Sequence, residues 1–185
     1  MNKRNRWIIY WIIAFLAFPP AGLLAVTLIG GGMDNALEGL AGGFIAGLVI
    51  GGGQYLALRG TSLGRPAWIL ATGIGLGAGV GLATALFGAS TAVNDIVLRA
   101  PVTGLMLGTA QWLVMRPVVR FSLAWVPLLT VLFPVAWFVT AQVITTSVNQ
   151  SFVIFGASGA LLFQIVSGAA LWRLFRQNIP TRATR

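Results

Sequence analysis

Apolar residues run along the chain in six long stretches: Trp7 to Ile29, Leu37 to Leu58, Ala67 to Phe87, Ile96 to Met115, Phe121 to Ile144 and Phe152 to Trp172. The joints between them are short and polar. A helical bilayer crossing takes about 20 mainly apolar residues, so each stretch predicts one transmembrane helix, and nothing is left over for a soluble domain. The first stretch has a basic start like that of a signal peptide. Its apolar run continues past Pro19 and Pro20 to Ile29 without a convincing cleavage site, and it is therefore read as a retained span. The expected fold is all-α: a single transmembrane domain over residues 1–185 with six spans.

Small residues recur within these stretches at helical spacing. Gly39, Gly43, Gly47 and Gly51 fall every fourth residue along span two, and Gly73, Gly77 and Gly81 do so along span three. Residues four apart share a helix face, and a stripe of small residues lets backbones approach closely where lipid supplies no hydrophobic drive. Spans two and three are thus expected to make the tightest contact. Gly104 and Gly108 make a shorter stripe in span four, while span five has no glycine and carries Pro127 and Pro134.

The chain also matches itself at a step of 57 residues, without gaps. The step pairs Gly47 with Gly104, Gly51 with Gly108, and Gln54 with Gln111. Extended both ways, it aligns Trp11, Trp68 and Trp125, and likewise Arg59, Arg116 and Arg173. Three units follow, 3–59, 60–116 and 117–173, with a basic tail over 174–185. Each unit holds two spans and so sits the same way up, which predicts three tandem helical hairpins with pseudo-threefold symmetry about the membrane normal. Pro20, Gly77 and Pro134 align near mid-bilayer. Proline removes a helix hydrogen bond and clashes with the preceding turn, so kinks are expected at Pro20 and Pro134.

Charge sets the orientation. Lys3, Arg4, Arg6, Arg59, Arg65, Arg116, Arg120, Arg173, Arg176, Arg182 and Arg185 all fall on one side of this topology, leaving Arg99 as the one contrary cation among 12. Basic residues near span ends stay cytoplasmic, so both termini are placed inside. Asp34, Glu38 and Asp95 lie outside. Asp95 and Arg99 are four apart on the outer turn of span four, which predicts a local salt bridge. Glu38 aligns with Asp95, but Phe152 takes the third position, so no ring of carboxylates forms. The net charge of +9 is spread over helix ends as topology determinants, which disfavours nucleic acid as a partner and suits anionic lipids at the cytoplasmic face.

Composition narrows the chemistry further. Of 185 residues 57% are hydrophobic and 8% charged, against roughly a quarter charged in soluble domains. There is no Cys and no His, and the one Lys is Lys3. No metal site, histidine-ligated haem, thiolate or intramembrane Schiff base can be assembled, and no ionisable relay lies deep in a span. Catalysis is not expected and no cofactor is assigned. Gly51, Gly52 and Gly53, or Gly75, Gly77 and Gly79, lack the strand and the Lys-Ser/Thr context of a phosphate loop. The polar candidates are Gln54 and Gln111, each five residues before its boundary Arg and so roughly 7.5 Å inside the span, with Gln142 and Gln164 beside them. They read either as interhelical clamps or as the lining of a pathway or lipid seat.

The segments GLMLGTAQWLVMR (Gly104 to Arg116) and GLVIGGGQYLALR (Gly47 to Arg59) resemble the repeated GxxxGxxQWxxxR pattern of uncharacterised small bacterial multi-span membrane proteins. The third unit departs from it, with Ile165 and Gly168 where Gly and Gln are expected. The resemblance implies a multi-pass protein of the bacterial inner membrane and carries no known activity. In architecture alone the three-hairpin plan is similar to mitochondrial carriers, whose charged motif after the kink proline is missing here. The expected function is a non-catalytic scaffold or accessory subunit of a larger membrane assembly, with a membrane-protein partner or a second copy of the chain. The alternative is a passive channel, carrier or lipid-handling protein with a path between the hairpins.

Overall fold

The computed structural model describes residues 6–90, 92–143 and 152–177. Among them every regular element is helical, with no strand. α1 (Arg6–Ile13) continues through a 3-10 turn, Ala14–Ala17, into α2 (Phe18–Ile29). Then come α3 (Ala36–Leu58), α4 (Ala67–Phe87), α5 (Val93–Met115), a 3-10 turn at Ser122–Ala124, α6 (Trp125–Val143) and α7 (Phe152–Gln177). With α1 and α2 taken as one rod, six helices form, and five are long and apolar enough to cross a bilayer. The chain is therefore a multi-pass helical membrane protein. α5 is as long as α3 at 23 residues, but Asn94, Asp95, Arg99 and Gln111 dilute its apolar character.

Local chemistry explains the interruption of the first rod. Pro19 and Pro20 have no N–H to offer the carbonyls one turn back. The N–H of Phe18 bonds the oxygen of Phe15 instead, which tightens the backbone over Ala14–Ala17 into 3-10 geometry. α6, by contrast, runs through Pro134 as α-helix from Trp125 to Val143. A 3-10 turn thus precedes Pro20, whereas Pro134 lies inside a continuous α-helix.

Boundaries also shift from the apolar runs. Phe121 adopts a left-handed conformation with φ 58° and α6 begins only at Trp125. α7 continues a turn past Arg173 to Gln177, while Ile144 lies outside the described residues. At the start of α3, Asn35 Oδ1 accepts the N–H groups of Leu37 and Glu38 at 3.0 Å, and Glu38 Oε2 accepts that of Asp34 at 2.8 Å. Glu38 thereby satisfies a helix start, where an acid also complements the positive end of the helix dipole.

Each helix packs against its chain neighbours, and α7 returns to α1 and α2, closing the bundle into a ring. Glycines mediate the close approaches between helices. A Cβ built on Gly47 would stand 2.6 Å from the Thr72 carbonyl oxygen and 2.7 Å from Gly73 Cα, and one on Gly43 would stand 2.7 Å from the Leu76 oxygen. Gly77 and Gly81 face back onto Leu40, and Gly39 faces Val80 and Thr84. The other face of α4 is equally tight: Gly75 and Gly79 lie against Cα atoms of Leu107 and Thr103 on α5. Gly104 meets the Leu129 carbonyl and Gly108 meets Val126. These two contacts reproduce Gly47 on Thr72 and Gly51 on Ile69 after a step of 57.

Candidate functional site

The buried centre of the ring is built from indoles and carboxamides. Trp11 lies in α1, Trp68 in the first turn of α4 and Trp125 at the start of α6, and all three are fully buried. Their rings touch in sequence, Trp11 to Trp68 with centroids 5.9 Å apart and Trp68 to Trp125 at 6.5 Å. Gln54 near the end of α3, Gln111 near the end of α5 and Gln164 in α7 converge on them, with exposures of 1%, 1% and 0%.

An indole N–H can only donate, and that fact orients the whole network. Trp125 Nε1 donates to Gln111 Oε1 at 2.9 Å, and Trp68 Nε1 donates to Gln54 Oε1 at 3.0 Å. With its oxygen engaged, Gln111 turns its amide nitrogen to Thr72 Oγ1 at 3.0 Å and to Gln54 Oε1 at 3.5 Å. Gln54 likewise donates to Gln164 Oε1 at 3.4 Å. Thr72 passes its own proton to the Trp68 carbonyl at 2.8 Å. The relay runs one way and ends at Gln164 Nε2, a buried donor with no acceptor among the described residues.

The third unit solves the same problem differently. Gly168 stands where a glutamine would, and a Cβ there would lie 2.7 Å from Trp11 Cδ1. Trp11 therefore leans into the missing side chain, and its N–H goes to Ser167 Oγ at 3.0 Å. Gln164, one turn earlier on the same face, reaches in to Gln54. Gly168→Ala is expected to push the indole off Ser167 and shift tryptophan emission to the red. Unchanged emission and thermal midpoint would mean that Trp11 has slack the geometry does not show.

The sequence candidates divide accordingly. Gln54, Gln111 and Gln164 come together with the three tryptophans. Gln142 is exposed near the far end of α6 and takes no part. Thr72 and Ser167 were not singled out by spacing, although Gln54 to Trp68 and Gln111 to Trp125 share one separation of 14 residues that could have suggested the pairing. None of these groups moves a proton near neutral pH. Their collective chemistry is hydrogen bonding.

No family model matches the chain, and no curated protein and no solved structure shows significant similarity to it.

The two ends of the ring differ. At the acidic end Arg99 lies within electrostatic reach of Asp95 and also gathers main-chain carbonyls. Its guanidinium donates to the carbonyl of Gly88 at 2.7 Å, to that of Ser90, and through Nε to the main-chain oxygen of Asp95 at 3.3 Å. The end of α4 leaves carbonyls without helical donors, and a five-donor fork satisfies several of them together. At the basic end Arg59, Arg65, Arg116, Arg120, Arg173 and Arg176 are all exposed. Arg116 lies over Trp112 at 5.6 Å and Arg176 over Trp172 at 4.6 Å. Between the start of α6 and the end of α7 a mostly apolar groove of about 480 Å³ opens, reaching down to Trp125.

Proposed function

We propose that this protein is a six-span, non-catalytic scaffold of the bacterial cytoplasmic membrane, an accessory subunit that presents its outer helix faces to a larger membrane assembly. The observation that carries the reading is the sealed centre. A pathway for ions or polar solutes needs groups that face water, whereas Gln54, Gln111 and Gln164 are almost wholly buried and spend their hydrogen bonds on indoles, on Thr72 and on one another. A neutral, closed hydrogen-bonded core suits a part whose work is to hold shape.

Counting α5 as the sixth span is supported by its length and by its place between α4 and α6, with Thr103 and Gln111 turned inward. Three tandem hairpins about an axis along the membrane normal are supported by the glycine contacts that recur after one repeat step and by the three indoles meeting at the centre. The crowding of cations at one end supports a cytoplasmic placement of that end.

The test is purification from the native membrane in polymer nanodiscs, followed by intact-complex mass spectrometry. A membrane protein that co-purifies at fixed stoichiometry is the expected result. A free monomer whose reconstitution makes vesicles permeable to a small solute would overturn the scaffold reading in favour of a channel or carrier.

A further inference from the structure

The groove between α6 and α7 opens toward the basic end of that pair. Near the acidic end they are locked: Gly159 sits against the Ala136 carbonyl and Thr140, and the rings of Phe133 and Phe163 stand edge to face at 5.6 Å. Toward the basic end α6 offers no glycine to admit a neighbour, and the indole of Trp125 is drawn inward to Gln111. What remains is a wedge of about 480 Å³ with Leu128, Ala170 and Leu174 on its walls, Trp125 at its bottom, and Arg173 and Gln177 at its rim.

Size decides against a partner helix. The wedge spans about two turns of α7, from Ala170 to Gln177, and two turns of helix with side chains, ~11 Å long and ~10–12 Å across, would fill roughly 900 Å³ or more. A thinner apolar object fits. Charge decides its head. Arg173 also borders a second hollow of about 340 Å³ on the other flank of α7, shared with Trp172, Arg176 and Gln177. Two cations thus stand at one level, while every acidic side chain of the protein, Asp34, Glu38 and Asp95, belongs to the opposite end.

We infer that the wedge between α6 and α7 is a seat for one anionic phospholipid, an acyl chain lying against Leu128, Ala170 and Leu174 and its phosphate on Arg173. The seat belongs to the folded chain itself and does not depend on whether a protein partner exists.

The experiment is native mass spectrometry of the full chain in detergent, offered an equimolar mixture of phosphatidylglycerol and phosphatidylcholine. One phosphatidylglycerol should be retained in preference. Arg173→Gln, at an exposed position where folding is not at stake, should cut that preference about fivefold, the equivalent of the ~1 kcal/mol one basic residue contributes at an anionic surface. Ala170→Phe, which fills the wedge and leaves the charge in place, should abolish retention of either lipid while the thermal midpoint holds. Equal retention of the two lipids, or a preference untouched by Arg173→Gln, would overturn the proposal and leave only an ordinary lipid annulus.

Discussion

Gly47→Val should separate α3 from α4 and lower stability by about 3 kcal/mol, near the top of the range for overpacked cores. The atoms that a side chain at 47 would meet are the Thr72 carbonyl oxygen and the Gly73 Cα, and backbone cannot rotate out of the way as a leucine tip can. Relief must come from moving a whole helix. That movement drags Gln54, two turns further along α3, away from Trp68, so the damage spreads to the central network. Gly52→Ala is the internal control, because a Cβ there meets nothing within 4 Å. It should be neutral or stabilise by up to about 1 kcal/mol through helix propensity. Thermal unfolding of the detergent-solubilised variants separates the two. Similar midpoints would mean that the glycine stripe is not an interface.

Gln54→Leu is the second large effect. Gln54 accepts from Trp68 and Gln111 and donates to Gln164, so its loss leaves the Trp68 indole N–H and the Gln164 oxygen buried without partners. A stranded buried group costs about 1–3 kcal/mol, so two of them predict a loss of about 2–6 kcal/mol. Hydrogen bonds between transmembrane helices average only about 0.6 kcal/mol, so a loss well under 1 kcal/mol would show that lipid or water rescues the stranded groups. Gln164→Leu should be far milder. It strands the amide of Gln54 but also removes a donor that had no acceptor to begin with, and the two changes nearly cancel. The contrast between two glutamines in one network is what a one-way relay demands. A double-mutant cycle on Gln54 and Trp68 would measure the coupling directly.

Much of the helical layout was legible in the sequence because a bilayer imposes length and apolarity on every crossing. Run lengths placed the helices to within a few residues. Only α5, diluted by Asn94, Asp95, Arg99 and Gln111, falls outside the five helices apolar enough to cross. The four-residue spacing of Gly39 to Gly51 put those residues on one face, and the structure turns that face to α4. Side-chain direction was another matter. Which of Gln142 and Gln164 turns inward depends on the rotation of α6 and α7, which no short-range pattern reveals. Spacing placed Asp95 beside Arg99 but is blind to the carbonyls of Gly88 and Ser90 that the guanidinium also takes. The wedge beside Trp125 was invisible for a simpler reason: it is defined by how two helices are set against each other, which no local pattern specifies.

The hydrogen bond from Trp11 to Ser167 spans 156 residues of sequence, and it has a consequence in time. A ribosome adding about 5–20 residues per second needs roughly 8–30 s to travel from one to the other. Through that interval the helix of Trp11 holds its indole N–H toward a neighbour still unmade. The newborn bundle is an open arc, and only the arrival of α7 shuts it.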